Sequence, residues 1–308
     1  VAIASDATVN YYPNDPNSSE LLTVVPGAKS KLQVLIPGET QVPGSSTGKT
    51  GNPQSQPAGQ SFKITVNGCD NNWNTVTGDN SVKVWVNTDD NFDTEPSTQT
   101  LVSGTTIFWL NLRVAGLRKA TSYAEADVYA LGYSTPIPID VGAYAKLQLL
   151  VPGETAVPGK ADGKTGAPST RTAGTPFMIT VNTVDVAYNV KNIGVLYWLD
   201  IWTSDPNDAH SQDGVQDVAL QYGTTYYPVT MVTASLWSGT TYTVTVKDLD
   251  NGSIPTDTSP PVPTVPGSAA KLQVLLPGQT AAPGSSSGYT GEASTRTAGT
   301  EFTITVNG

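Results

Sequence analysis

Three copies of one segment constrain this chain more than any other feature. Lys31-Leu32-Gln33-Val34-Leu35-Ile36-Pro37-Gly38-Glu39-Thr40 returns from Lys146 to Thr155 and again from Lys271 to Thr280, at offsets of 115 and 125 residues. After each copy comes a Gly/Ser/Pro-rich connector ending in Ala58-Gly59, Ala173-Gly174 or Ala298-Gly299. A run reading Phe-x-Ile-Thr-Val-Asn then starts at Phe62, Phe177 and Phe302. A period of this length exceeds the roughly 20 to 50 residues of a solenoid unit and matches one autonomous domain of about 100. Each repeat therefore reads as a bead with its own core.

Within a bead the apolar residues recur every second position. Val82, Val84 and Val86 do so, as do Phe108, Leu110, Leu112 and Val114, and Tyr242, Val244 and Val246. Polar residues between many of them give the one-face-in, one-face-out alternation of antiparallel strands. Turn pairs such as Ser103-Gly104 and Asn251-Gly252 divide each repeat into about seven short strands. The predicted fold class is all-β: tandem immunoglobulin-like β-sandwiches, with partial domains at both ends. The predicted boundaries place the final strands of a preceding repeat at 1–30, full repeats at 31–145 and 146–270, and the first strands of a further repeat at 271–308. On this reading the chain is cut from a longer array. Strand exchange between subunits is the minor alternative, because the two end pieces together lack the middle strands of a sandwich.

Composition narrows the function classes. Only 14% of the 308 residues are charged, against about 25% in an average domain, and the formal net charge is −10. That sign disfavours nucleic acid and anionic membrane surfaces as partners. No run approaches the roughly 20 apolar residues of a membrane span, and no export signal is visible at Val1-Ala2-Ile3. A single Cys69 excludes an intrachain disulfide, and a single His210 excludes a multi-histidine metal site. Cys69 falls where the next repeat has Val184, so a buried, inert thiol is expected. His210 is expected at the surface.

The order Ala-Gly-x-x-Phe-x-Ile-Thr-Val-Asn, then a turn holding Asp70 and Asn74 or Asp185 and Asn189, then Thr88-Asp89 or Ser204-Asp205-Pro206-Asn207, then Gly104-Thr105-Thr106 or Gly223-Thr224-Thr225, resembles the bacterial immunoglobulin-like repeats of large surface proteins and adhesins. The likeness covers 31–270 well and the end pieces in part. It implies stalk or spacer beads outside the cell, with calcium often found at the joints between them. The connector of about 20 residues after Pro37-Gly38 is foreign to ordinary repeats of that kind, and it leaves open a packing or contact role for 37–61, 152–176 and 277–301.

Several groups carry chemistry in principle. The oxygen-rich stretch Asp89, Asp90, Asn91, Asp93 and Glu95 begins like a calcium loop, but Thr94 stands where that loop needs Gly and Thr100 where it needs Glu. Asp89, Asn91 and Asp93, with Asp205 and Asn207 of the next copy, are the calcium candidates, and a solvated loop of turn formers is the competing reading. Asp70 with Asn74 and Asp185 with Asn189 suit Asx turns, with ion binding as the alternative. Trp73, Trp85, Trp109, Trp198, Trp202 and Trp237 could stack on sugars or simply fill strands and cores, and Trp85 and Trp109 sit at positions that alternation points outward. Gly44 to Thr50 imitates a phosphate loop but has three residues between its glycines and no helix after it. Lys31, Lys146 and Lys271 begin the first strands, as isopeptide-forming lysines do in some sandwiches, without a consistent Asn to pair with. No acid–base pair for catalysis is found. The expected function is a non-enzymatic extracellular string of beads in a stalk, adhesin or filament, associating with adjacent repeats or with itself. A carbohydrate-binding array of a secreted protein is the alternative.

Overall fold

The computed structural model describes residues 23–208, 215–235 and 239–308. His210, Trp237 and most of the 1–30 piece lie outside them. Among the described residues strands dominate, and Glu125–Asp127 forms a turn of 3-10 helix.

In the first complete sandwich, the strand Phe62–Cys69 is flanked antiparallel by Lys31–Leu35 and by Thr105–Leu110. The facing sheet orders Gly132–Tyr133, Ala120–Ala124, Lys83–Thr88 and Gln99–Thr100. Gln56–Pro57 leaves the first sheet to run parallel to Ile137–Asp140, so the opening strand switches sheets along its path. The second sandwich repeats this plan. Phe177–Val184 lies between Lys146–Leu150 and Thr224–Val229, opposite a sheet of Val215–Leu220, Tyr197–Thr203, Val244–Asp248 and Asp257–Thr258. Its parallel pair is Arg171–Thr172 with Thr264–Val265. This is the immunoglobulin-like arrangement of two antiparallel sheets around a core.

The alternating positions supply those cores. Val84, Val86, Phe108, Leu110 and Leu112 are buried in the first, and Val244, Val246, Ile179 and Leu199 in the second. At about 25 cal/mol per Å² of apolar surface, each such side chain contributes roughly 1.5 to 3 kcal/mol. Cys69 is fully buried, and burial, reinforced by the Asp70 carboxylate beside it, pushes its thiol up to about 12.

The connector forms a β-hairpin at the point where the opening strand changes sheets. Glu39–Gln41 pairs with Lys49–Gly51, Glu154–Ala156 with Lys164–Gly166, and Thr280–Ala281 with Tyr289–Thr290. A glycine pair makes this possible. A Cβ on Gly51 would stand 2.1 Å from the Gly38 carbonyl oxygen, and one on Gly38 2.1 Å from the Asn52 oxygen; both residues have positive φ. The pairs Gly153/Gly166 and Gly278/Gly291 repeat the crossing. A half-buried ion pair ties each full hairpin base: Lys49 to Glu39 at 3.0 Å and Lys164 to Glu154 at 2.8 Å.

Residues 271–308 contain the hairpin and one strand pair, Gln273–Leu275 with Thr305–Asn307. Leu272, Val274, Phe302 and Ile304 are exposed there, whereas the equivalent Leu147, Leu149, Phe177 and Ile179 are buried.

Candidate functional site

A dense set of polar contacts joins the two complete sandwiches. It begins with an Asx turn. Following the strand Phe177–Val184, the chain closes on itself: Asp185 N–H donates to the Asn189 carbonyl at 3.0 Å, and Lys191 N–H to the Thr183 carbonyl at 2.8 Å. Inside the turn the Asp185 carboxylate accepts from Ala187 N (2.8 Å), Asn189 N (2.9 Å) and Asn189 Nδ2 (2.9 Å). It also accepts from Gly142 N at 2.9 Å, which belongs to the segment leading in from the first sandwich. The turn therefore grips the linker.

Its far side enters the neighbouring bead. Ala187, fully buried, belongs to the apolar core of the first sandwich. Asn189 spans the joint, accepting from Ala115 N at 2.9 Å and donating to the Arg113 carbonyl at 2.8 Å. Gly59, closing the first connector, lies against Val186 and Ala187 with no room for a side chain. The second connector contributes the tip of its hairpin. Gly159 N donates to the Ala187 carbonyl at 2.7 Å, the Gly159 carbonyl accepts from Arg113 Nε at 2.5 Å, and the glycine presses on Phe92 and Val114. The contact role left open for the connectors is thus realised at the junction of adjacent repeats.

The acidic loops stand on the receiving side. Asp90 accepts from Arg113 N (2.6 Å), Val114 N (2.8 Å) and Phe92 N (3.0 Å). Asp205 accepts from Val232 N and Thr233 N, both at 2.8 Å, and from Asn207 N at 3.1 Å. Each carboxylate shapes the loop that the next unit clasps. Of the calcium candidates, Asp89 accepts from Lys119 N at 2.9 Å, Asp93 from the Thr88 hydroxyl at 2.8 Å, and Asn207 donates to Thr233 Oγ1 and to the Pro283 carbonyl. Asn91 is exposed. Burial, with Asp90 and Asp89 adding negative charge, raises the Asp93 carboxyl above its ordinary range. Among the described residues no group of three or more His, Cys, Asp and Glu is arranged to hold a metal ion.

The lysines at the head of the two complete repeats are held by rings. Lys31 Nζ sits 3.7 Å from the Trp73 ring centre and Lys146 Nζ 3.6 Å from that of Tyr188. Both aromatics adopt positive φ, and their rings lie over Gly48 and Gly163, where a Cβ would come within 2.3 Å. Lys31 also donates to the Asn71 carbonyl at 2.9 Å. At the first repeat the Asx turn has the same internal bonds, and Asp70 takes Gly27 N at 2.8 Å. The Asn74 side-chain amide, followed by Gly27 N, holds the Asp70 carboxyl down at about 2. Of the tryptophans, Trp109 is 63% exposed on the outer sheet face, and Trp85 stacks on Tyr123 at 5.6 Å.

No family profile and no curated protein sequence matches the chain. Solved structures similar to it include a Salmonella alpha-2-macroglobulin mutant (12% identity, TM-score 0.38, 83% of this chain and 18% of that one). Another is FdeC, an Escherichia coli adhesin (12%, TM-score 0.31, 79% and 68%). A third is the set of fibronectin(III)-like modules of Clostridium thermocellum CbhA (16%, TM-score 0.22, 70% and 90%). The chain spans about a fifth of the length of the alpha-2-macroglobulin.

Proposed function

We propose that this chain is a non-enzymatic spacer, a string of immunoglobulin-like beads in an extracellular stalk, adhesin or filament, whose joints are stiffened by side chains shared between neighbours. The observation that carries the reading is Ala187, a residue of the second sandwich packed in the core of the first. A joint that buries apolar surface and fixes the linker by hydrogen bonds at Asp185 and Asn189 resists bending in a way a bare linker does not. Low charge and single Cys and His residues suit a passive scaffold.

Spin labels at Lys63→Cys and Lys247→Cys, one on each sandwich, test it. Both native side chains are exposed, while Cys69 is buried and its thiol protonated, so labelling is selective. A single narrow inter-label distance is expected; a broad distribution would remove the stiff-spacer reading.

Carbohydrate binding stands as the second reading, on one observation. Trp109 and Ile107 are exposed on the outer face of the first sandwich's sheet, and Tyr226 lies exposed on the equivalent sheet of the second. Retention on a polysaccharide column that Trp109→Ala abolishes would support it, and no retention on a broad glycan array would end it.

A further inference from the structure

We propose that the strand Thr105–Leu110 of the first sandwich pairs edge to edge with the same strand of a second copy of this chain, joining two sheets into one. The strand closes one side of its sheet, next to Phe62–Cys69. Thr105 fixes which backbone groups face outward. It exchanges hydrogen bonds of 2.9 and 3.1 Å with Val102, while the preceding Gly104 carbonyl accepts from Gly68 N at 2.8 Å. Backbone groups alternate in direction along a strand, so Thr106, Phe108 and Leu110 bond inward to Val66, Ile64 and Phe62, and Ile107 and Trp109 turn theirs outward. The N–H and C=O of those two residues have no partner among the described residues.

This edge carries none of the usual protection. Sheets ordinarily shield an open edge with charge, proline or a bulge. From Ser97 to Leu112 there is no charged residue and no proline, in a chain of net charge −10. The second sandwich does shield its equivalent strand, Thr224–Val229. Pro228 faces Met178 there as Trp109 faces Lys63 in the first, and proline has no N–H to offer.

The free groups select the occupant. Set antiparallel about a two-fold axis at Phe108, two copies place Ile107 of each against Trp109 of the other, and reciprocal bonds then satisfy all four outward groups of each edge. A register centred on Ile107 would oppose Trp109 to Thr105, whose groups Val102 already holds. One centred on Trp109 would oppose Ile107 to Asn111, past the end of the strand. The side chains agree with the Phe108 register. Ile107 and Trp109 are 46% and 63% exposed on the outer face, and the row across the joined sheet reads Lys63, Trp109, then Ile107 and Thr65 of the second copy. Aromatic and β-branched residues meet, and no like charges do. Lateral pairing of this kind goes beyond the spacer reading, because it bundles beads side by side.

Sedimentation velocity of the 308-residue chain, from micromolar to about 0.5 mM, tests it. A concentration-dependent dimer is expected. Trp109→Pro, which copies the second sandwich's own device, should raise its dissociation constant about tenfold or more, as should Ile107→Lys, while Tyr226→Lys on the shielded edge should leave it unchanged. Circular dichroism and melting would show that the variants keep their sandwiches, and Ile107→Lys carries the test should Trp109→Pro unfold. The register has its own readout. Three strand spacings of about 4.8 Å put the two Lys63 backbones of a dimer about 15 Å apart, so chains labelled only at Lys63→Cys should show a short distance that Ile107→Lys abolishes. Monomers at 0.5 mM, whether or not a polysaccharide or a foreign peptide binds them, would overturn the proposal. So would a dimer indifferent to Ile107→Lys, one weakened equally by Tyr226→Lys, or one without the short Lys63 distance. The distance between labels at 63 and 247 is measured in chains diluted with unlabelled protein, so the spacer reading and this one fail separately.

Discussion

The joint after the first sandwich and the joint after the second have the same linker chemistry, the same hairpin tip and the same carboxylate-shaped receiving loop. At the joint after the first sandwich, Asp185–Asn189 fills the space between linker and loop. At the next, Asn207 Nδ2 donates to the Pro283 carbonyl at 3.2 Å, so the hairpin tip is docked there as well. The tip is held by Arg113 at the first joint and by Asn207 at the second, so docking of the hairpin does not depend on one kind of side chain. At the first joint the Asx turn adds to this by satisfying amides on both sides of the boundary at once.

Breaking the scaffold that both joints share should have the largest effect. Gly166→Val places a Cβ 2.1 Å from the Gly153 carbonyl oxygen at a positive φ, and we expect about 3 kcal/mol of destabilisation, read by urea unfolding of the second sandwich. Next is Ala187→Leu, which overfills the first sandwich's core from the second. It should cost about 1 to 3 kcal/mol and broaden the inter-label distance. Asn189→Ala removes the bridge to Ala115 and Arg113, and leaves a half-buried amide and carbonyl unpaired, for about 1 to 3 kcal/mol.

Acid should discriminate more finely. The Asp70 carboxyl lies at about 2 in the folded chain against 3.8 ordinarily. A depressed carboxyl binds fewer protons folded than unfolded, so its stabilisation is present above about pH 4 and is lost as pH falls through 2. Melting temperatures measured between pH 5 and 2 should fall less steeply in Asp70→Asn than in the native chain. Calcium should have the smallest effect. With the Asp90 and Asp205 oxygens taken by backbone amides, millimolar calcium should move the melting temperature by no more than about 1 °C. A rise of several degrees would make Asp89 and Asp93 ligands.

The sandwich was legible in the sequence because a two-residue period reports directly which face of a strand is buried. Val84, Val86, Phe108 and Leu110 behave as that rule requires. The joint was legible only in fragments. Asp185 and Asn189 announce a turn by residue type, but nothing local tells that Ala187 completes another domain's core; burial across a boundary leaves no periodicity. The glycines at 38 and 51 recur visibly, while their reason, two backbones crossing where no Cβ fits, exists only in three dimensions. Trp73 reads equally well as a sugar platform, and only its positive φ over Gly48 and beneath Lys31 shows it packed against its own chain. Asp90 stood in view among its acidic neighbours, and the amides that claim it lie more than twenty residues away.

Because Ala187 reaches backwards into the preceding core, the two sandwiches are not equivalent partners: the later one lends and the earlier one borrows. During synthesis the first sandwich would emerge with a gap at its lower rim and become whole only after about fifty further residues had followed Ile139 out. Under tension the same dependence runs the other way, so that unravelling the lender strips the borrower of part of its interior and failure travels toward the amino terminus.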